Sequence, residues 1–195
     1  MTTERTYHHG DLRRAVLTAA LDVIAAEGPS ALSLRDLARR AGVSHAAPAH
    51  HFKDRAGLLT AIAAEGHALL AAALTEASDL RDLGVRYVRF ALAHPAHFQV
   101  MFRPELLRAD DPELVAARRR TRDLLRTAVA ARAGGGAGAD DSGTGFMAAW
   151  SLAHGFATLL LTHNLDGPLD GRDPEKVFRS LAGELFRPAG NSPAG

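Results

Sequence analysis

The chain has 195 residues, 47% of them hydrophobic, with 23 Lys and Arg against 22 Asp and Glu for a net charge of +1. That length buries a core in one or two small domains, and the near balance of charge excludes binding to polyanions by bulk charge, so any basic surface has to be local. There is no cysteine, hence no disulfide framework and no thiolate metal site; strand-type runs are missing, and Ala, Leu and Arg dominate, so the expected class is all-α with about nine helices.

In chain order, residues Met1 to Thr6 read as a disordered polar lead-in. The N-terminal MTTERTYHHG is too polar for a secretory segment, and no uninterrupted apolar run reaches the ~18–20 residues that span a bilayer, so the expected location is the cytoplasm, with no membrane partner. Asp11 is placed to cap a first helix running to about Ala26, whose buried stripe is Leu12, Ala15, Val16, Ala19, Ala20, Val23 and Ile24. Arg13 and Arg14 are left for solvent or phosphate. Gly28-Pro29 ends the helix.

The next stretch organises the chain. Leu34, Leu37 and Ala38 share one face of a short helix, with Ser33 as its cap and Asp36 where a capping-box acid stands. Gly42 stops that helix in a left-handed turn, Val43 drops back toward the core, and Ser44 is placed to cap a second helix from about His45. Helix, glycine turn, helix is the unit whose second helix enters the DNA major groove. Its outer residues fit that use: His45, His50, His51, Lys53 and Arg55 crowd the second helix and its exit, and no acid lies between Ala41 and Lys53. Two short helices joined by a glycine turn are common in all-α proteins, and the basic neighbours are what favour DNA.

Lys53-Asp54 then caps a long Ala/Leu-rich helix from about Arg55 to Glu76, whose start can take a phosphate. A composition shift at TEASDL marks the boundary of a second part from residue 78. Further helices are expected from Leu80 to His94, over AHFQVMF, from Pro112 to about Arg132, from Thr144 to His163 and from Pro174 to about Phe186, with Pro95 and the loop AGGGAGADDSG as breaks. Arg118, Arg119, Arg120 and Arg122 form one side of the third of these, which reads best as a solvated face. The helix from Thr144 is apolar nearly all round and so needs burial on every side. Tyr87, Phe90, Phe98, Met101, Phe102, Phe146, Met147, Trp150 and His154 are as a set the candidate lining of a cavity for an apolar or aromatic molecule, with His154 or His94 as polar anchor; any one of them alone reads better as core. The tail RPAGNSPAG reads as disordered.

The run LSLRDLARRAGVSHAAPAHHFKDRAGLL, preceded by YHHGDLR, resembles the DNA-binding domain of the TetR family of transcriptional repressors over roughly Tyr7 to Leu70. Two positions differ from the family pattern: Ala49 stands where an aromatic is usual, and Arg55 where Lys is usual, which keeps the charge and adds a fork for phosphate. The Trp150-x-x-x-His154-Gly155 spacing and HPAHFQVMFRPEL are similar to one subgroup of the family. The resemblance implies a head over residues 1–53, a connecting helix over 54–77 and a ligand-binding and dimerisation domain over 78–195. It implies DNA contacts from Arg35, Ser44, His45, Ala46, Ala47, His50, His51, Lys53 and Arg55, an arm at Tyr7-His8-His9-Gly10 near the DNA backbone, and a homodimer through 144–163 and 174–186 of each chain.

Chemistry of other kinds finds little support. The ten histidines form no HExxH set, and nucleophile elbow, P-loop and GxGxxG are lacking. No catalytic residue, metal or cofactor is expected, and the chain is not read as an enzyme. The expected function is a ligand-responsive transcriptional regulator, a homodimeric repressor on a pseudo-palindromic double-stranded operator, released by a small-molecule effector. The alternatives are an activator or ligand-independent DNA-binding protein with the same head, and, from another class, a helical ligand carrier or metal-dependent enzyme built on the second half.

Overall fold

The computed structural model describes residues 4–44, 46–132 and 139–186, and of 4–11 and 139–142 the backbone alone. Among the described residues there are ten α-helices, two 3-10 turns and no strand. The helices are α1 (Glu4–Glu27), α2 (Leu34–Arg40), α3 (Ala47–Phe52), α4 (Arg55–Thr75), α5 (Leu80–Ala93), α6 (Pro95–Met101), α7 (Pro112–Arg132), α8 (Ala139–Leu161), α9 (Asp166–Leu169) and α10 (Pro174–Leu185). They form two compact units, Met1–Leu69 with His94–Arg120, and Leu70–Ala93 with Thr121–Gly195.

Short polar residues start many of these helices by accepting the free N–H groups of the first turn. Ser33 Oγ accepts from Asp36 N–H at 3.4 Å, Asp54 from Gly57 at 2.9 Å, and Asp79 from Asp82 at 2.7 Å. Asp111 caps α7 through Leu114 N–H at 3.0 Å, and Asp173 caps α10 through Glu175 N–H at 2.8 Å. The Asp36 carboxylate itself turns to Arg39, 3.4 Å away.

The first unit has one continuous core. Val16, Leu17, Ala20, Val23 and Ile24 of α1 pack with Leu37, Phe52 and with Leu58, Leu59, Ile62 and Ala63 of α4. Ala96 and Val100 of α6 and Leu114 of α7 belong to the same cluster. The region bearing α2 and α3 therefore draws part of its core from residues some forty positions later in the chain. At the crossing of α4 and α6 a Cβ on Gly66 would meet Met101 Cγ at 2.9 Å and His97 Cβ at 3.1 Å, so only glycine permits the approach.

In the second unit α5 packs on α8 and α10. Leu83, Val85, Tyr87, Val88, Phe90 and Ala91 are buried, and Phe156 and Phe178 meet edge to face with centroids 5.4 Å apart. Arg89 grips Glu175 at 2.5 Å, and Asp82 holds Arg86 at 2.9 Å and Arg179 at 3.5 Å.

Several expectations need correction. Helix α1 begins at Glu4 rather than at Asp11, so Asp11 is an interior helix residue and Glu4 to Thr6 are ordered; a lone Gly10 costs only about 1 kcal/mol and does not break a helix that continues well past it. Helix α8 starts at Ala139, inside the segment read as loop, and the four-residue α9 was missed altogether. Residues 1–3, 133–138 and 187–195, over which disorder or a loop was expected, lie outside the described residues. Two helical stretches, Arg55–Thr75 and Gly143–Leu161, are long and apolar enough to cross a bilayer by length and composition, against the expectation that none is. Isolated residues such as Glu65 and His67 interrupt the run without lowering its mean hydropathy much. The first stretch is 61% buried within the protein, as a core helix is, and the second only 28%. Helix α8 is thus not enclosed on all sides by its own chain: Ala149, Ala153, Phe156, Ala157 and Leu160 are buried, while Met147, Trp150 and Leu159 are exposed.

Gly84 on α5 faces the Phe178 ring, where a Cβ would stand 2.5 Å from Cε1. Phe178 is 2% exposed and cannot retreat. Gly84→Ala gains about 1 kcal/mol of helix propensity but overpacks by about 1–3 kcal/mol, so a net loss and a Tm lower by several degrees are expected in thermal denaturation. Gly183→Ala, whose Cβ would meet Arg81 no closer than 3.5 Å, is the control and leaves Tm unchanged or raised.

Candidate nucleic-acid interface

Helix α2 ends at Arg40, Ala41 N–H returns to the Leu37 carbonyl at 2.9 Å, and Gly42 takes φ 66°. Val43 N–H bonds the Ala38 carbonyl at 3.0 Å and its side chain packs on the core, as the sequence predicts. Helix α3 follows. Ser44 engages it through its carbonyl, which accepts from Ala47 N–H at 3.0 Å, and the cap position belongs to Ala46, which has no side chain able to cap. Pro48 near its start removes one donor that would otherwise lack a partner. Pro48 and Phe52 are buried, one turn apart, and fix the inner face of α3.

The exit of α3 is tightly built. Lys53 has φ 67° and ψ −59°, and Asp54 N–H closes a γ-turn on the Phe52 carbonyl at 2.8 Å. A non-glycine residue in this region stores about 1–3 kcal/mol, which the surrounding contacts must offset. They are present: the Arg13 guanidinium lies 5.5 Å over the buried Phe52 ring, and Asp54 both caps α4 and pairs with Arg108 at 2.8 Å. The Gly57 N–H, then the Arg108 guanidinium, hold the Asp54 carboxyl below its ordinary range against the opposing effect of burial. Arg108 in turn donates its backbone N–H to Thr60 Oγ1 at 3.0 Å.

The residues expected at DNA are distributed as follows. Arg35, Ser44, Ala46, His50 and Lys53 are exposed, Ala47 and His51 half-buried, and His45 lies outside the described residues. His50 and His51 meet edge to face at 5.5 Å. Arg55 is half-buried and donates from Nη2 to the Pro29 carbonyl at 2.8 Å, so in this conformation it ties α4 to the turn after α1. Arg14, left for solvent or phosphate by the sequence, pairs with Glu65 at 2.9 Å. The Tyr7-His8-His9-Gly10 arm is part of α1.

The residues proposed to line a cavity separate into two groups. In the first unit Phe98 and Phe102 meet edge to face at 5.2 Å, Met101 is buried beside Gly66, and His67, which the sequence reading passed over, meets Phe102 at 5.8 Å. The signal for His67 was available: a histidine in an otherwise Ala/Leu helix. Burial, and then the Arg118 charge, lower its pKa to about 4, with the Met101 carbonyl acting the other way. In the second unit the Tyr87 hydroxyl and His154 Nδ1 are 2.9 Å apart, the Trp150 indole donates to the same hydroxyl, and Phe146 lies 6.1 Å from Trp150. Burial raises the Tyr87 phenol and lowers His154, so both are neutral near pH 7. Phe90 is buried, and Met147, 59% exposed, stands outside this group. Of the arginine face of α7, Arg119, Arg120 and Arg122 are exposed, while Arg118 reaches the Met101 carbonyl at 3.5 Å. Among the described residues no set of three or more His, Asp and Glu is arranged to hold a metal ion.

A helix, a glycine turn and a second short helix with a cation-rich exit define a helix-turn-helix protein. Residues 16–62 match the family described as bacterial regulatory proteins, tetR family, and residues 80–185 match the tetracyclin repressor-like C-terminal domain. The chain belongs to the TetR family of helix-turn-helix, DNA-binding transcriptional regulators. The structure of a protein with unknown function from Rhodococcus sp. RHA1 is 38% identical, with a TM-score of 0.74 over 94% of this chain and 98% of that one. A bacterial regulatory protein in the tetR family from Rhodococcus RHA1 is 24% identical, with a TM-score of 0.70 over 90% and 95%. AibR, in complex with isovaleryl coenzyme A and operator DNA, shares the fold at 18% identity, with a TM-score of 0.65 over 90% and 98%. No curated protein matches the chain.

His67 makes stability pH-dependent. Its folded pKa lies below the ordinary 6.5, so the fold favours the neutral ring; stability is complete above about pH 6.5 and is lost as pH falls toward 4, because the unfolded chain takes up the proton first. The loss amounts to about 3 kcal/mol at most. His97 and His154, also lowered by burial, act in the same direction. Chemical denaturation between pH 7 and 4 should show His67→Gln reducing the slope of stability against pH by about one proton, or roughly 1.4 kcal/mol per pH unit.

Proposed function

We propose that the protein is a homodimeric repressor in the cytoplasm that binds a pseudo-palindromic operator in double-stranded DNA and leaves it when a small apolar or aromatic molecule binds the second part of the chain. The observation that carries the DNA half is the outer surface around α3. Ser44, Ala46, His50 and Lys53 are exposed there, Arg35 is exposed on α2, and no carboxylate interrupts Ala41 to Lys53. Ser44, His45, Ala46 and Ala47 are the candidates for base edges, and His50, His51 and Lys53 for phosphates. Arg55 serves phosphate only if its guanidinium leaves the Pro29 carbonyl.

The dimer reading rests on apolar surface that this chain does not cover. Trp150, Leu159, Leu181 and Leu185 are 41%, 44%, 39% and 66% exposed on α8 and α10. A second copy of the same two helices is the proposed cover, which would put two heads on successive major grooves about 34–36 Å apart. The effector reading rests on the Phe98, Met101, Phe102 group beside buried His67 and on the Tyr87, Phe146, Trp150, His154 group, whose histidine is half-buried; burial favours the neutral ring in both. The complex of AibR with isovaleryl coenzyme A and operator DNA supports pairing the two activities. Functionally the chain divides into a head over residues 1–53, a connecting helix over 54–77 and an effector and dimer part over 78–195. That division of labour need not follow the packing units, since residues of α6 and α7 complete the core beneath the head. A few kcal/mol of differential affinity for two conformations suffices for release. No chemistry is assigned to the chain.

Selection of bound sequences from random duplex DNA at near-physiological salt should enrich a pseudo-palindrome with half-sites one helical turn apart; no enrichment overturns the operator reading. Adding small aromatic or acyl compounds to the complex should release the duplex for at least one chemical class and raise Tm with the same compound. Leu159→Arg with Leu185→Arg should halve the mass seen by sedimentation equilibrium while leaving the helical signal intact. A variant that stays at the wild-type mass overturns the proposed dimer face.

A further inference from the structure

The surface of α3 has an unusual composition for a helix that reads bases. Buried Pro48 and Phe52 set its inner face, and at 100° per residue the opposite face belongs to Ala46, Ala47 and His50, with Ala49 at the edge. Ala46, Ala49 and His50 are exposed and Ala47 half-buried. Three of these four side chains are single methyl groups. A methyl can neither donate nor accept, and on the floor of the major groove the one apolar group is the thymine 5-methyl. A guanine or cytosine edge set against an alanine methyl would lose water without gaining a partner, which disfavours it. The six residues of α3 extend about 9 Å, the length of about three base pairs. Cations beside the face, Arg35 and Lys53, supply attraction to phosphate that carries no sequence information.

We propose that this regulator reads each operator half-site mainly through thymine methyl groups packed against Ala46, Ala47 and Ala49, with Ser44 as the hydrogen-bonding side chain toward bases among the described residues and His50 on phosphate. The proposal rests on the operator reading above and names the chemistry by which α3 recognises DNA. It makes the operator thymine-bearing under α3, and sensitive to removal of methyl groups that no hydrogen bond reports.

The test uses the full-length protein and the duplex enriched by selection. Each thymine is replaced singly by deoxyuridine, which removes the 5-methyl and leaves every hydrogen-bonding group in place. Loss of one buried methyl contact lowers affinity roughly fourfold, and roughly fifteenfold when both half-sites are changed. That loss is expected at one or more thymines in each half-site and at none outside. Ala46→Gly and Ala49→Gly should bring the thymine-to-deoxyuridine ratio at the matched position back to one; the ratio is taken within each variant, so any loss of helix stability cancels. A selected operator whose half-sites lack thymine under α3, or one in which every deoxyuridine duplex binds within twofold of the parent, overturns the proposal and leaves the operator reading standing. Failure to select any sequence overturns the operator reading, and this inference with it.

Discussion

The structure of the first unit depends on the burial of Phe52 and of the first turns of α4. Phe52 ends α3, and Leu58, Leu59 and Ile62 follow within three turns; all four are inside one core with α1, α6 and the start of α7. Each such side chain contributes about 1.5–3 kcal/mol on leaving water. That gain holds Lys53 in its γ-turn and so sets the angle at which α3 leaves α4. Asp54, Arg108 and Arg13 then clamp the same turn from three sides. The orientation of α3 is therefore a property of the core beneath it rather than of its own six residues, which are too few to be stable alone.

The cluster of the second unit works by a different principle. Tyr87, Trp150 and His154 are polar groups in an apolar setting, and each satisfies another. Trp150 brings an N–H, Tyr87 an oxygen that can accept and donate, and His154 a ring nitrogen. Burial keeps the Tyr87 phenol and the His154 ring neutral near pH 7, while the Trp150 indole, 41% exposed, has no charged form to suppress. The Trp-x-x-x-His spacing on α8 puts the two rings one turn apart, 6.1 Å between centroids, over a tyrosine supplied by α5.

Several of the described arginines are engaged within the protein. Arg14, Arg40, Arg86, Arg89 and Arg108 each hold an acid, and Arg55 a carbonyl. With net charge +1, the cations left around α3 stand out because acids are absent there, not because bases are many.

Much was determined by sequence alone. Helical class, the boundaries of α2, α4, α5, α6, α7 and α10 to within a residue or two, the glycine turn and the Ser33 cap all follow from local signals: apolar spacing, glycine, proline and short polar residues act over a few positions. The helix-turn-helix was legible for the same reason, since its two helices and their turn lie on consecutive residues. Tertiary structure decided the rest. That Ala96, Val100 and Leu114 complete the core beneath α3, that Arg55 turns inward to Pro29, that His67 is buried beside Phe102, and that α8 keeps one apolar side uncovered are all facts of long-range packing. No local pattern encodes them, because burial depends on what another part of the chain brings to the same place.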